Sequence, residues 1–130
     1  MKSKPPLRTG ISRILYAFLY SFHGYKSTFI NEAAFRQELC IFVILLPVII
    51  FIPVSIMFKA ILFFANMNIL IVELLNSAIE TIVDMASPEY HILAKRAKDI
   101  GSAAVNASFI LAIVMWGTAV YSVITMISRL

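Results

Sequence analysis

The chain has 130 residues, of which 61% are hydrophobic and 14% charged, and its mean hydropathy is +0.90. Soluble domains contain about 45–50% apolar and about 25% charged residues, and a domain this small leaves much of its surface in water. The composition excludes a soluble globular domain, a disordered chain and, despite a net charge of +4, a nucleic-acid-binding module. It predicts a single integral-membrane domain over residues 1–130.

The N-terminal segment predicts an amphipathic helix over about residues 8–30. Its apolar residues recur at spacings of three and four, which places them on one helical face. They are Ile11, Ile14, Leu15, Phe18 and Phe22. An apolar stripe beside a basic and aromatic face is typical of a helix that lies in the headgroup plane of a bilayer. The alternative is that this helix packs against the membrane bundle.

Three membrane spans are predicted, over about residues 36–52, 57–85 and 100–128. A spanning helix needs about 20 predominantly apolar residues, and the uncharged runs Leu39–Phe58 and Ile100–Ser128 identify the first and third spans. The middle span is also apolar but carries acidic residues. Before the third span, Ser87 and Pro88 predict the start of a short surface helix or of a lead-in, because Ser is a good N-cap and Pro a good first helical residue.

The basic residues are unevenly distributed along the chain. Nine of the eleven Lys and Arg residues precede span one or lie between spans two and three, whereas Lys59 and Arg129 lie on the other side. Cytoplasmic loops of membrane proteins carry an excess of Lys and Arg. The distribution therefore predicts that the N-terminus and the second connection are cytoplasmic and that the C-terminus is outside.

Several polar residues of the second span share one helical face. They are Glu73, Asn76, Ser77, Glu80 and Asp84. An ionisable side chain at membrane depth costs at least about 2.5 kcal/mol, so this stripe must face protein, water or a ligand. The stripe is compatible with hydrogen bonds between the helices of an oligomer, an interpretation that also suits Asn66 and Asn68. It is equally compatible with a proton or cation pathway. Asp84 has a third possibility, an ion pair with Lys95 or Arg96.

Further charged residues lie at the same predicted membrane face. Glu32 and Glu38 lie at the entry to span one, and Lys95, Lys98 and Asp99 lead into span three. Carboxylates that hold Mg²⁺ and lysines that meet phosphate oxygens are the groups that phosphoryl transfer uses. The sequence has no P-loop or protein-kinase glycine motif, and carboxylates alone argue against zinc. The pattern favours phosphoryl transfer without a standard nucleotide-binding motif.

Four ordered segments resemble the small bacterial integral-membrane diacylglycerol kinases. They are Asn31–Glu38, Glu73–Glu80 with Asp84, Glu89–His91 and Ala97–Val105. The resemblance implies an all-α membrane protein with three transmembrane helices and an N-terminal amphipathic surface helix, assembled as a homotrimer whose sites are shared between protomers. It implies the bacterial inner membrane, with a cytoplasmic N-terminus and a periplasmic C-terminus. Its implied partners are diacylglycerol, ATP and the lipid bilayer, without nucleic acid.

The resemblance also implies a reaction, the transfer of the γ-phosphate of MgATP to diacylglycerol to give phosphatidate. The implied catalytic residues are Glu73, as general base, Asn76, Lys98 and Asp99. The implied Mg²⁺ ligands are Glu32 and Glu80. The implied ATP-binding residues are Arg13, Tyr20, Glu32, Glu80, Glu89, Tyr90, His91, Lys98 and Asp99. The implied lipid-substrate residues are Arg13, Ser21, Glu73 and Ser102.

Two alternative functions remain open at this point. A related branch of the same family phosphorylates undecaprenol, and its entry to span one differs from the segment Asn31–Glu38. A small oligomeric proton or ion conductor would use the same intramembrane acids for a different purpose.

Overall fold

The computed structural model describes residues 10–129 and has four helices and no strand over that part of the chain. The helices are α1 (Ile11–Asn31), α2 (Ala33–Phe51), α3 (Ile56–Ala86) and α4 (Ile92–Ile127). Helices α2, α3 and α4 are each long and apolar enough to cross a membrane. The predicted fold class is therefore confirmed. Three of the basic residues used to predict the orientation, Lys2, Lys4 and Arg8, lie outside the described residues.

Helix α1 exposes its apolar stripe. None of its residues is buried within a single chain, and Ile11, Phe18 and Phe22 are all exposed. An apolar stripe of this kind is favourable when it contacts acyl chains rather than water. This exposure fits the predicted surface helix better than a helix packed into the bundle.

Two cationic side chains close the ends of the helices that precede them. Arg36 of α2 donates from Nη1 to the carbonyls of Phe29 (2.9 Å) and Ile30 (3.0 Å) at the end of α1. Lys59 of α3 donates from Nζ to the carbonyl of Ile50 near the end of α2. The last carbonyls of a helix lack intrahelical partners, and positive charge stabilises that end of the helix dipole. Each of these turns is thus held by a side chain of the following helix.

The second connection differs from the sequence prediction. Ser87 is the C-cap of α3, and its Oγ donates to the carbonyl of Glu89 at 3.0 Å. Helix α4 begins after His91, whose Nδ1 accepts a hydrogen bond from the N–H of Leu93 at 3.2 Å. The prediction that Ser87 and Pro88 start a helix is wrong, because the cap is the histidine of the same loop. Helix α4 is continuous, so the segment before span three is its lead-in.

Helix α3 lies between α2 and α4 and packs on both. Phe35 and Phe42 of α2 contact Leu70 of α3. On the other side, Ala112 and Ala119 of α4 pack in clusters with buried residues of α3, and small residues allow two membrane helices to approach closely. This packing encloses the polar stripe of α3 between its neighbours.

Candidate active site

A cluster of carboxylates surrounds Glu73 of α3. Glu73 is only 5% exposed, and the carboxylates of Glu32 and Glu80 both lie close enough to interact with it electrostatically. Glu38 of α2 is also within electrostatic range of Glu73. Glu32 occupies the non-helical residue between α1 and α2, so the cluster draws on that junction and on two membrane helices. Carboxylates brought together in this way require a cation or a proton to offset their repulsion.

An amide on α3 orients one of these carboxylates. Asn76 donates from Nδ2 to Oε1 of Glu80 at 3.1 Å, one helical turn away. Gly101 of α4 packs directly on this amide, and a Cβ at that position would overlap Oδ1 of Asn76. Oδ1 is buried and has no hydrogen-bond partner among the described residues. The glycine therefore gives the Asn76 amide the space it needs to keep this position beside Glu80.

A cavity of ≈ 650 Å³ lies between α1 and α3 beside this cluster. Glu32 and Ser77 contribute to its lining, and the hydroxyl of Ser77 is buried without a partner among the described residues. The polar residues that α1 contributes are Ser21, Ser27, Thr28 and Asn31. The cavity can therefore accommodate a group rich in hydrogen-bonding atoms close to the carboxylates.

A second cavity, of ≈ 430 Å³, adjoins the first and shares Tyr25 and Leu74 with it. Its lining is almost entirely apolar, with Lys26 as the charged exception. The apolar side chains are Phe22, Phe29, Phe35, Leu39, Phe42, Met67, Leu70 and Ile71. A polar cavity next to an apolar one suits an amphiphilic molecule, with its polar end toward the carboxylates.

Two ion pairs lie at the cytoplasmic end predicted for the bundle. Lys98 of α4 pairs with Asp84 of α3 at 2.5 Å, and it also lies within electrostatic range of Glu80. Lys95 pairs with Asp99 at 2.6 Å, one turn along α4. The prediction that Asp84 pairs with Lys95 or Arg96 is thus wrong, because its ion-pair partner is Lys98. Lys98 brings a positive charge next to the acidic cluster.

The other predicted site residues do not converge with the cluster in a single chain. They lie on the exposed surface, and none of them is among the described residues that line the polar cavity. These residues are Arg13, Tyr20, Glu89, Tyr90, His91 and Ser102. Ser21, in contrast, does line that cavity. The structure thus brings the predicted metal ligands Glu32 and Glu80 and the predicted base Glu73 close to one predicted lipid-substrate residue, Ser21. Most of the other predicted ATP-binding residues lie elsewhere on the surface.

Two residues that the structure places in the site are absent from the predicted catalytic, metal-binding and substrate-binding residues. Glu38 is 8% exposed, and its Oε2 has no partner among the described residues. It is the acidic residue of α2 and directly precedes a long uncharged run, which was a usable signal. Ser77 lies one turn after Glu73 on the polar stripe, but a hydroxyl at that position does not reveal that a cavity is present.

The fold and the site together define an integral-membrane helical protein with buried carboxylates next to a polar and an apolar cavity that adjoin each other. A profile of the prokaryotic diacylglycerol kinase family matches residues 19–120. The chain belongs to this family, which confirms the resemblance, and it is a bacterial membrane protein. Arg13 lies before the matched residues.

Relatives from several bacteria carry the name diacylglycerol kinase. The protein of Escherichia coli (strain K12) is 42% identical over 114 residues, which cover 88% of this chain and 93% of that protein. The protein of Pseudomonas aeruginosa is 46% identical over 111 residues, covering 85% and 90% respectively. A more distant relative, from Helicobacter pylori (strain ATCC 700392 / 26695), is 34% identical over 113 residues, covering 87% and 88%. The similarity therefore extends over nearly the whole length of these proteins.

Proposed function

We propose that this protein transfers the γ-phosphate of ATP to the free hydroxyl of diacylglycerol, which gives phosphatidate and ADP, at the cytoplasmic face of the bacterial inner membrane. The protein is a lipid kinase of the prokaryotic diacylglycerol kinase family, with ATP as its co-substrate. The observation that carries the reaction is the buried Glu73 with Glu32 and Glu80 in electrostatic range. The relatives favour neither the undecaprenol kinase nor the ion conductor.

Glu73 is the general base of the proposed reaction. Its carboxylate accepts the proton of the lipid hydroxyl while the hydroxyl oxygen bonds to the γ-phosphorus. The bond between that phosphorus and the β–γ bridging oxygen breaks, and ADP leaves. Glu73 is buried, and Leu74, the next residue, lines both the polar and the apolar cavity, which supports access of a lipid hydroxyl to this region. Glu80 lies seven residues further along α3, about 10 Å at 1.5 Å per residue, nearer the proposed cytoplasmic surface.

Glu32 and Glu80 are the residues that would hold Mg²⁺, which when bound neutralises charge on the ATP phosphates. Carboxylate oxygens are the hard ligands that this ion prefers. Within residues 10–129, no group of three or more His, Cys, Asp and Glu side chains forms a metal site of its own. Mg²⁺ is usually bound by one or two carboxylates together with substrate phosphates and water. A pair of glutamates therefore fits the ion in the presence of nucleotide.

Asn76, Lys98 and Asp99 are proposed to orient the reacting groups. Asn76 already fixes Glu80 through its 3.1 Å hydrogen bond. Lys98 lies near Glu80 while it pairs with Asp84, so its ammonium group can exchange this carboxylate for a phosphate oxygen. Asp99 follows Lys98 directly and orients the neighbouring Lys95.

The protein is further proposed to act as a homotrimer with sites shared between protomers. Within one chain the predicted nucleotide-binding residues Arg13, Tyr20 and Glu89–His91 stay on the surface, away from the polar cavity. A neighbouring protomer can supply such residues to the carboxylate cluster. This separation supports an ATP site that is shared between protomers, because a single chain brings together only part of the predicted ATP-binding residues.

The kinase reaction is tested with purified protein in mixed micelles that contain MgATP and dioleoylglycerol. We expect phosphatidate as the product, and Glu73→Gln should lower kcat by at least about 100-fold, since general bases contribute 10²–10⁴. An unchanged thermal stability of this variant provides the folding control. Glu80→Gln should instead raise the Mg²⁺ concentration needed for half-maximal turnover. Full turnover of Glu73→Gln would exclude it as the base, and faster phosphorylation of undecaprenol would exclude diacylglycerol as the preferred substrate.

A further inference from the structure

A small cavity of ≈ 20 Å³ lies among α2, α3 and α4. Its polar lining comes from Glu38 and Asn66, neither of which lines the two larger cavities described above. The remaining side chains around it are apolar, namely Ile41, Phe42, Ile69 and Phe109. One water molecule requires a space of about 10–15 Å³, so this cavity has room for one water molecule.

Glu38 of α2 contributes the first polar group of this cavity. Its side chain is 8% exposed, and its Oε2 is buried without a hydrogen-bond partner among residues 10–129. Buried side-chain oxygens in proteins are, in the large majority of cases, hydrogen-bonded to protein or to ordered water. An unpaired carboxyl oxygen on a residue that lines a water-sized cavity therefore points to a water molecule as its partner.

Asn66 of α3 contributes the second polar group, and its orientation is fixed by two hydrogen bonds. Its Nδ2 donates to the carbonyl of Leu62 at 2.7 Å, and its Oδ1 accepts from Nε1 of Trp116 at 3.4 Å. A carboxamide has two N–H donors and an oxygen with two lone pairs, so these bonds leave one N–H and one lone pair for a further partner. A buried water needs two to four polar partners, and Glu38 and Asn66 supply two.

We propose that this cavity binds one water molecule, which accepts a hydrogen bond from Nδ2 of Asn66 and donates one to Oε2 of Glu38. Asn66 is then a positioning residue for Glu38, and Trp116 holds Asn66 in place from α4. The water completes a chain of hydrogen bonds that runs from α2 through α3 to α4.

The consequence for turnover rests on the proposed kinase reaction, because the water acts on Glu73 through Glu38. Asn66 precedes Glu73 by seven residues on α3, about 10 Å at 1.5 Å per residue, and Glu38 lies within electrostatic range of Glu73. A carboxyl group that is held toward Asn66 is held away from Glu73. The repulsion between two carboxylates depends on their distance, so the water fixes the electrostatic surroundings of the proposed base.

Solid-state NMR of the full chain in lipid bilayers tests the water site without turnover. With ¹³C-labelled glutamate, magnetisation should pass from water protons to the side-chain carboxyl carbon of Glu38, and Glu38→Gln identifies that signal. Asn66→Leu removes the polar group at similar size and should abolish the transfer to Glu38. The exposed Glu89 is the internal control and should give its signal in both proteins. No transfer to Glu38 in the wild-type protein, or an undiminished transfer in Asn66→Leu, would overturn the proposal.

Steady-state kinetics tests whether the water positions Glu38 for the reaction. Asn66→Leu should lower kcat by about 10-fold or more at unchanged KM for dioleoylglycerol and MgATP, since a misplacement of about 1 Å can lower a rate by about 100-fold. Asn66→Gln retains the donor and the acceptor and should keep most of kcat. An unchanged kcat of Asn66→Leu, or an equal loss in Asn66→Gln, would contradict the positioning role.

A double variant separates this role from a general loss of packing. In a Glu38→Gln background, Asn66→Leu should lower kcat little further, because the carboxylate that it positions is already absent. A full additional loss would show that Asn66 acts by another route. The NMR signal does not depend on turnover, so failure of the water site and failure of the proposed reaction are distinguishable.

Discussion

Gly101 shows how a residue without a side chain can determine the geometry of the site. A Cβ at this position would overlap the amide oxygen of Asn76, whereas a Cβ at Gly117 on the same helix meets no atom within 4 Å. Gly101→Ala should therefore displace Asn76 from Glu80 and lower kcat by about 10- to 100-fold, since small misplacements in active sites have effects of this size. Gly117→Ala is the matched control and should retain turnover. The measurement is steady-state phosphatidate formation.

The role of Gly101 can be separated from a general loss of packing by a double variant. If Gly101 acts through Asn76, then Gly101→Ala should lower kcat little further in an Asn76→Ala background, because the displaced amide is already absent. A full additional loss in the double variant would show that the Cβ disturbs the helix contact itself. Coupling of this kind between contacting residues is what double-mutant cycles measure.

The sequence allowed part of the site to be predicted at the scale of single residues. Glu73 and Glu80 could be placed on one face because a helix has a fixed period and because acids at membrane depth are costly. The contact of Gly101 with Asn76 could not be predicted, because it depends on how α4 is shifted along α3. The assignments of Glu32, Glu80 and Lys98 to metal or nucleotide came from the resemblance and remain predictions.

At the scale of elements, a partly buried hydrogen bond joins α3 and α4. Trp116 donates from Nε1 to Oδ1 of Asn66 at 3.4 Å, and Asn66 also donates to the carbonyl of Leu62 at 2.7 Å. Trp116→Phe should lower the free energy of unfolding by about 0.6 kcal/mol and by no more than about 1.7 kcal/mol, the mean and the maximum measured for hydrogen bonds between membrane helices. The measurement is reversible unfolding in mixed micelles. Trp116→Phe should have a smaller effect in an Asn66→Leu background, and equal effects in both backgrounds would exclude the hydrogen bond.

The existence of the helices was predictable, but their ends were not. Three apolar runs identify three spans because the bilayer thickness sets the length of a spanning helix. The α1–α2 turn depends on Arg36, which reaches back six and seven residues to the end of α1. His91, and not Ser87, starts α4. These helix ends are fixed by side-chain contacts across a turn. The capping propensity of a single residue does not show which of several residues in the loop forms the cap.

At the scale of the whole molecule, the charged residues are unevenly distributed between the two ends of the helical bundle. The carboxylate cluster and the Lys98–Asp84 pair both lie toward the end of the bundle where α1 meets α2 and where α3 meets α4. The opposite end carries the short connection after Phe51. ATP is water-soluble, so the proposed reaction requires the charged end to face the cytoplasm. The positive-inside bias of the sequence predicts the same orientation.

Two prolines in exposed connections provide a matched test of this orientation. Pro53 lies between α2 and α3, and Pro88 lies between α3 and α4. In a Cys40→Ala background, Pro53→Cys should react with a membrane-impermeant maleimide in intact spheroplasts. Pro88→Cys should react only after the membrane is opened, because nine of the eleven basic residues lie on its side of the predicted topology. The reverse labelling pattern would place Glu32 and Glu80 outside the cell, where the proposed ATP reaction has no substrate.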